Sequence, residues 1–270
     1  MSKLTDFDTA YDNGKAIADF GRYPAFWSGQ AAAFRDDFGE RWREMSYGPA
    51  ERHRFDLFEP EDEAKGTLVY VHGGYWKAFD KSFWSHLASG AIALGWRVAM
   101  PSYTLCPQAR ISEITREIGM FLDSLAAEVN GEIALTGHSA GGHLVTRMAC
   151  ENAPISPVTA KRIVRVLSIS GLHDLRPLLP TQMNMIFGMD ADEAARESAV
   201  LLTPRTDLEI QACCGQGELP EFRRQSTLIA DIWHGFGIAT DAWEIPDAHH
   251  ANVIETLCDP QSRALGFLCP

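Results

Sequence analysis

Residues 137–142 read Gly-His-Ser-Ala-Gly-Gly. The segment before them, Ile133-Ala134-Leu135-Thr136, is β-like. The stretch after them, Gly142 to Ala149, lacks proline and carries apolar residues at 144, 145, 148 and 149, as a buried helix does. A strand that becomes a helix across one serine, with glycine two positions away on either side, leaves few folds open. The pattern predicts a sharp strand-to-helix turn that presents the Ser139 hydroxyl for attack. Gly137 and Gly141 remove Cβ atoms that would crowd the adjoining strand and helix. The helix start then directs its unpaired N–H groups and positive dipole end at the serine.

The rest of the chain keeps the same alternation. His53 to Phe58, Thr67 to Val71, Arg97 to Met100, Ile163 to Ile169, Glu209 to Cys214 and Ala239 to Ile245 are strand candidates. Helices are expected near 82–94 and 222–235 and from about Asn252. Ile111, Ile114, Ile118, Phe121, Leu122, Leu125 and Val129 mark one face of another. This order predicts an α/β protein with a mostly parallel central sheet, helices on both faces, and chemistry at the carboxyl ends of the strands. All of 1–270 is expected to form one domain. Residues 1–50 are aromatic-rich, and Phe26, Trp27, Phe34, Phe38 and Trp42 recur at roughly helical spacing. They predict a helical segment packed on the sheet, with a share in covering the site as the sharper alternative. Residues 176–205 break the rhythm with Pro177, Pro180 and Pro204 among large apolar residues, and predict a small cap insertion.

A serine nucleophile needs an oxyanion site, a base and an acid. After Val71 the chain reads His72-Gly73-Gly74-Tyr75-Trp76. Glycine lets backbone N–H groups approach a developing oxyanion, so Gly73 and Gly74 are assigned as donors, with Ala140 as their partner. His72 precedes the serine and is read as holding this loop. The acid is expected just after the strand ending at Cys214, where Glu218 lies in the loop. Glu221 is better explained as a carboxylate at a helix start, and Asp207 lies at the wrong end of the strand. The base is expected after the last strand, where His249 and His250 are adjacent; His250 leads into the helix and is preferred. Tyr75 and Trp76 are candidates for flanking an aromatic substrate group, with packing of their own loop as the equal alternative.

His-Gly-Gly-Tyr-Trp at 72–76, Gly-His-Ser-Ala-Gly-Gly-His-Leu at 137–144 and Glu-Leu-Pro-Glu-Phe-Arg-Arg-Gln-Ser at 218–226 together resemble the kynurenine formamidases. These are arylformamidases of the α/β-hydrolase fold, near the hormone-sensitive-lipase-like esterases. Ser170-Gly171-Leu172-His173-Asp174-Leu175 adds weaker support. The resemblance covers about residues 11–257. It implies Ser139 as nucleophile, Glu218 as acid, His250 as base, and oxyanion donors at Gly73, Gly74 and Ala140. Two positions depart from the family: it usually has aspartate where Glu218 stands, and phenylalanine where Ala251 follows the histidine. The small Ala251 is expected to widen the pocket.

The implied reaction is hydrolysis of a small acyl ester or aryl formamide, with a small-molecule substrate and no cofactor. The alternative is a non-catalytic protein of the same fold that binds a small ligand. A net charge of −12 without a basic cluster argues against nucleic acid and anionic membranes as partners. No apolar run approaches a membrane span, and the N-terminus shows no signal-peptide pattern. Six cysteines without a Cys-x-x-Cys pair are expected as reduced, mostly buried thiols of a cytoplasmic protein. The nine histidines form no His-x-x-x-His or His-x-His pair, so a metal-dependent hydrolase is disfavoured. Assembly as a homodimer is left open.

Overall fold

Thr67–Val71 is buried at all five positions, as an unbroken apolar run requires of a strand covered on both faces. Its side chains alternate between two cores. Val69 and Val71 pack with Ile114, Phe121 and Leu144 on one side, and Leu68 and Tyr70 pack with Trp84, Ile254 and Leu265 on the other. The computed structural model describes residues 5–270. Its sheet contains β1 (Trp42–Ser46), β2 (Arg54–Phe58), β3 (Thr67–Val71), β4 (Arg97–Pro101), β5 (Ile133–His138), β6 (Ile163–Ile169), β7 (Glu209–Gly215) and β8 (Thr240–Ile245). The spatial order is β1-β2-β4-β3-β5-β6-β7-β8. β2 pairs antiparallel with both β1 and β4, and all other pairings are parallel. The mostly parallel sheet with helices on both faces is therefore the architecture the alternation predicts.

Helices Ile111–Glu128, Ala140–Met148 and Pro220–His234 contribute to the first core. Tyr23–Phe38 and Arg263–Leu268 contribute to the second. Several elements differ from the sequence reading. The aromatic helix stops at Phe38, because Gly39 takes φ 65°, a left-handed value that favours glycine. Trp42 opens β1 instead of continuing the helical face, while Phe26 on that helix is exposed. The segment near 82–94 is two short 3₁₀ turns and the helix Ser89–Ala93. The helix expected from Asn252 is a 3₁₀ turn, Val253–Cys258, followed by Arg263–Leu268. Residues 176–205 form short turns and the helices Asn184–Phe187 and Ala191–Glu197. All six cysteines are free thiols, five of them buried. No described helix is long and apolar enough to cross a membrane.

Candidate active site

The sheet delivers its chemistry through the turns that leave β3, β5, β6, β7 and β8. Ser139 follows β5 at φ 56° and ψ −115°, and helix Ala140–Met148 starts at the next residue. A non-glycine residue in that region is strained and persists only where its surroundings hold it. Here the Ser139 N–H donates to the Ile169 carbonyl at 2.8 Å, and His143 N–H donates to the Ser139 carbonyl at 3.1 Å. The neighbouring glycines are sterically obligatory. A Cβ on Gly141 would lie 1.9 Å from the Val71 carbonyl oxygen, and one on Gly137 would lie 2.3 Å from the Gly141 carbonyl oxygen. Both obstacles are backbone and cannot swing away. Gly141→Ala is accordingly expected to destabilise the fold by about 2–3 kcal/mol and to displace Ser139. A chemical-denaturation midpoint equal to that of the parent protein would refute this account of the turn.

The loop after β3 lies directly behind the nucleophile. A Cβ on Gly73 would meet Ser139 Cβ at 3.1 Å, and Gly74 takes φ 107°. Among the described residues, neither the Gly73 nor the Gly74 N–H donates to a backbone carbonyl. The Ala140 N–H is one of the unpaired amides at a helix start. His72 braces this loop, as the sequence reading has it. Its Nδ1 lies 2.7 Å from the Gly73 carbonyl oxygen, its ring stacks on Tyr103 at 4.3 Å, and Tyr103 Oη donates to the His72 carbonyl at 2.9 Å. Burial lowers the His72 pKa to about 4, so its ring is neutral near pH 7.

Glu218 and His250 are both buried and meet at 2.7 Å, with His250 Nδ1 donating to Glu218 Oε2. Glu218 Oε1 accepts from Ser170 Oγ at 2.5 Å and from the Gly215 N–H at 2.7 Å. Burial pushes the Glu218 carboxyl up. The charge and hydrogen bond of His250, with the bonds from Ser170 and Gly215, more than reverse this and leave its pKa below the usual glutamate value. The Nδ1–H donated to Glu218 leaves the Nε2 lone pair of neutral His250 as the basic site. The rings of His138 and Phe222 pack on His250 at 4.5 and 4.4 Å. Burial and the neighbouring His250 charge hold His138 well below the usual histidine pKa, so it remains neutral beside the base.

His249 has a different task. Its Nδ1 accepts the Ala251 N–H at 3.1 Å, which places the proton of the neutral ring on Nε2, 3.0 Å from Tyr23 Oη. The loop bearing His250 is thereby tied to the N-terminal segment. Glu221 accepts from Tyr11 Oη at 3.0 Å and pairs with Arg224, so its carboxylate is committed elsewhere. The structure thus brings Glu218 rather than Glu221 to the imidazole.

Ser139 and His250 line one cavity of about 480 Å³, together with Gly73, Gly74 and Tyr75. That volume suits a small organic molecule. Its walls include Phe20, Trp27, Phe79 and Trp84, while Gln182 and Met183 come from the 176–205 segment. Residues preceding the helix Tyr23–Phe38 roof it. Tyr75 Oη donates to the Tyr11 carbonyl at 2.6 Å, and the Gln182 N–H donates to Asp8 Oδ1 at 2.7 Å. The N-terminal aromatic region therefore both packs on the sheet and covers the site. Two expectations are corrected. Trp76 is fully buried against His143 and Phe187 and is not part of the cavity wall. Ala251 is buried in the second core beneath the loop, so its small size does not widen the cavity.

Sequence reasoning missed Ser170 as the second support of Glu218. Its φ of 52° immediately after β6 and its buried hydroxyl mark it in the structure. The available signal was its place at a strand's carboxyl end in Ser168-Ile169-Ser170-Gly171. Among the described residues, no cluster of three or more potential metal ligands occurs.

Residues 68–210 match the family model of the alpha/beta hydrolase fold. The chain is 28% identical over 230 residues to kynurenine formamidase of Salmo salar, covering 80% of this chain and 76% of that one. It is 26% identical over 227 residues to the Danio rerio kynurenine formamidase, with the same coverage of 80% and 76%. A crystal structure from Silicibacter sp. TM1040, provisionally described as a thioesterase, is 46% identical with a TM-score of 0.92. It covers 99% of this chain and 100% of that one.

Proposed function

The chain belongs to the α/β-hydrolase fold family and is a hydrolase, and from that premise we propose that it cleaves a small acyl ester or aryl formamide by a serine mechanism. The observation that carries this reading is the buried His250–Glu218 hydrogen bond, 2.7 Å long, with His250 and Ser139 on the wall of one cavity. Ser139 Oγ attacks the substrate carbonyl carbon while His250 Nε2 accepts its proton. Glu218 stabilises the imidazolium as it forms. Negative charge on the carbonyl oxygen is met by the N–H groups of Gly73, Gly74 and Ala140, each donor contributing about 3–4 kcal/mol. His250 then protonates the departing alcohol or aryl amine. Water, deprotonated by His250, attacks the acyl-Ser139 carbonyl and releases the acid.

The aromatic walls support an aryl group in the leaving portion, and a formyl group is the smallest acyl group the serine could carry. The unpaired thiols support a reducing compartment, the cytoplasm. Turnover of N-formylkynurenine, a short p-nitrophenyl ester and a short acyl thioester is the test. Comparable kcat/KM on the formamide and the ester is expected. Ester cleavage without formamide cleavage would reject the formamidase and keep the esterase, and thioester cleavage alone would redirect the assignment. A folded protein that a fluorophosphonate probe fails to label at Ser139 would point to the non-catalytic alternative.

A further inference from the structure

The roof of the cavity holds a polar group that the reaction above does not use. Asn13 lies in the four-residue helix Asn13–Ala16, only 5% exposed, and lines the same cavity as Ser139. Its carboxamide nitrogen is buried without a hydrogen-bond partner among the described residues, the only such carboxamide nitrogen there. A buried N–H left without an acceptor is destabilising, and native proteins rarely leave one unexplained.

The surrounding chemistry indicates what is missing. The indole N–H groups of Trp27 and Trp84, which also line the cavity, lack acceptors too. Indoles of Trp76 and Trp96 are unpaired elsewhere in the protein, so the tryptophans alone do not single out a site. The nearby acceptors are already engaged: Asp8 takes the Gln182 N–H, and Asp12 takes the Lys15 N–H and pairs with its ammonium group. The wall therefore carries a surplus of donors beside aromatic rings.

We propose that the Asn13 carboxamide is a specificity-determining group, donating a hydrogen bond to a carbonyl oxygen carried on the aryl portion of the substrate. The inference rests on the aryl ester or formamide reading above. It adds that the preferred ring bears a neutral acceptor as well as the scissile bond. The roof then selects the substrate, while the strand-end turns perform the chemistry. Asn13 acts on binding in this account and not on proton transfer.

The test measures kcat/KM for phenyl acetate and for the ortho, meta and para isomers of acetylphenyl acetate. The parent protein is compared with Asn13→Ala and with the nearly isosteric Asn13→Asp, which removes the donor while keeping the shape. Dividing each variant's rate by the parent's on the same ester cancels leaving-group electronics. For at least one acetyl isomer, both variants are expected to lose roughly five- to tenfold more than they lose on phenyl acetate. Equal losses on all four esters, or no loss on any, would overturn the role of Asn13. Failure of the parent protein to hydrolyse phenyl acetate would instead overturn the serine-hydrolase reading beneath it. Thermal melts of both variants, matching the parent within a few degrees, are expected to accompany the selective loss.

Discussion

Ser139→Ala is expected to lower kcat by about a millionfold with little change in stability. The two halves of that expectation have separate grounds. The hydroxyl makes the only covalent bond the reaction requires, so no neighbouring group substitutes for it. Among the described residues, the Ser139 side chain makes no hydrogen bond, so its removal orphans no partner. The backbone bonds that hold the turn, to Ile169 and from His143, are independent of the side chain. Steady-state turnover with the best ester, together with a denaturation curve, checks both halves. Residual activity above about one-thousandth of the parent value would place the nucleophile elsewhere.

Glu218→Gln is expected to lower kcat by about ten-thousandfold, and its cause is orientation as much as charge. Glutamine presents either an N–H or a carbonyl to His250 Nδ1. With the N–H facing it, the imidazole must carry its proton on Nε2 and cannot accept one from Ser139. With the carbonyl facing it, Ser170 Oγ and the Gly215 N–H meet an NH₂ group that cannot accept. Glu218→Ala goes further, leaving two buried donors without an acceptor at about 1–3 kcal/mol each. The same carboxylate has a pH signature. Its pKa in the fold lies below the ordinary value of 4.5. The stability it contributes is therefore fully present above pH 4.5 and lost as pH falls through the lower folded value. The parent protein should weaken across that acid range, and Glu218→Gln should show a flatter stability profile there. An unchanged acid slope would mean that Glu218 is not held ionised by His250 and Ser170.

Much of the site was readable because local backbone geometry writes itself into short motifs. Gly137, Ser139 and Gly141 are constrained by close approaches within a few residues and to β3, and such constraints demand glycine. Gly73 and Gly74 follow the most apolar strand for a similar reason. Glu218 and His250 could be assigned by chain order, since each follows a recognisable strand. Asn13 and Ser170 were harder. The segments around Asn13 are four-residue helices, too short to carry periodicity, and their burial is conferred by the cap and by the loop after β3. Ser170 serves Glu218 across 48 positions of sequence, a relation made only when β6 and β7 pair. The helix expected through Trp42 failed because a single left-handed glycine outweighs an aromatic spacing. Trp76 and Ala251 show a related limit: adjacency to a catalytic residue in sequence does not decide on which side of the backbone a side chain falls.

The proton shared between His249 and Tyr23 has a consequence for evolution. The N-terminal roof and the loop carrying His250 are joined by one hydrogen bond whose direction depends on the His249 tautomer. A roof exchanged with that of another homologue would bring a different group, or none, to His249. Inheritance of a new substrate range would then disturb the aim of the neighbouring imidazole, and the two segments are best transplanted as a pair.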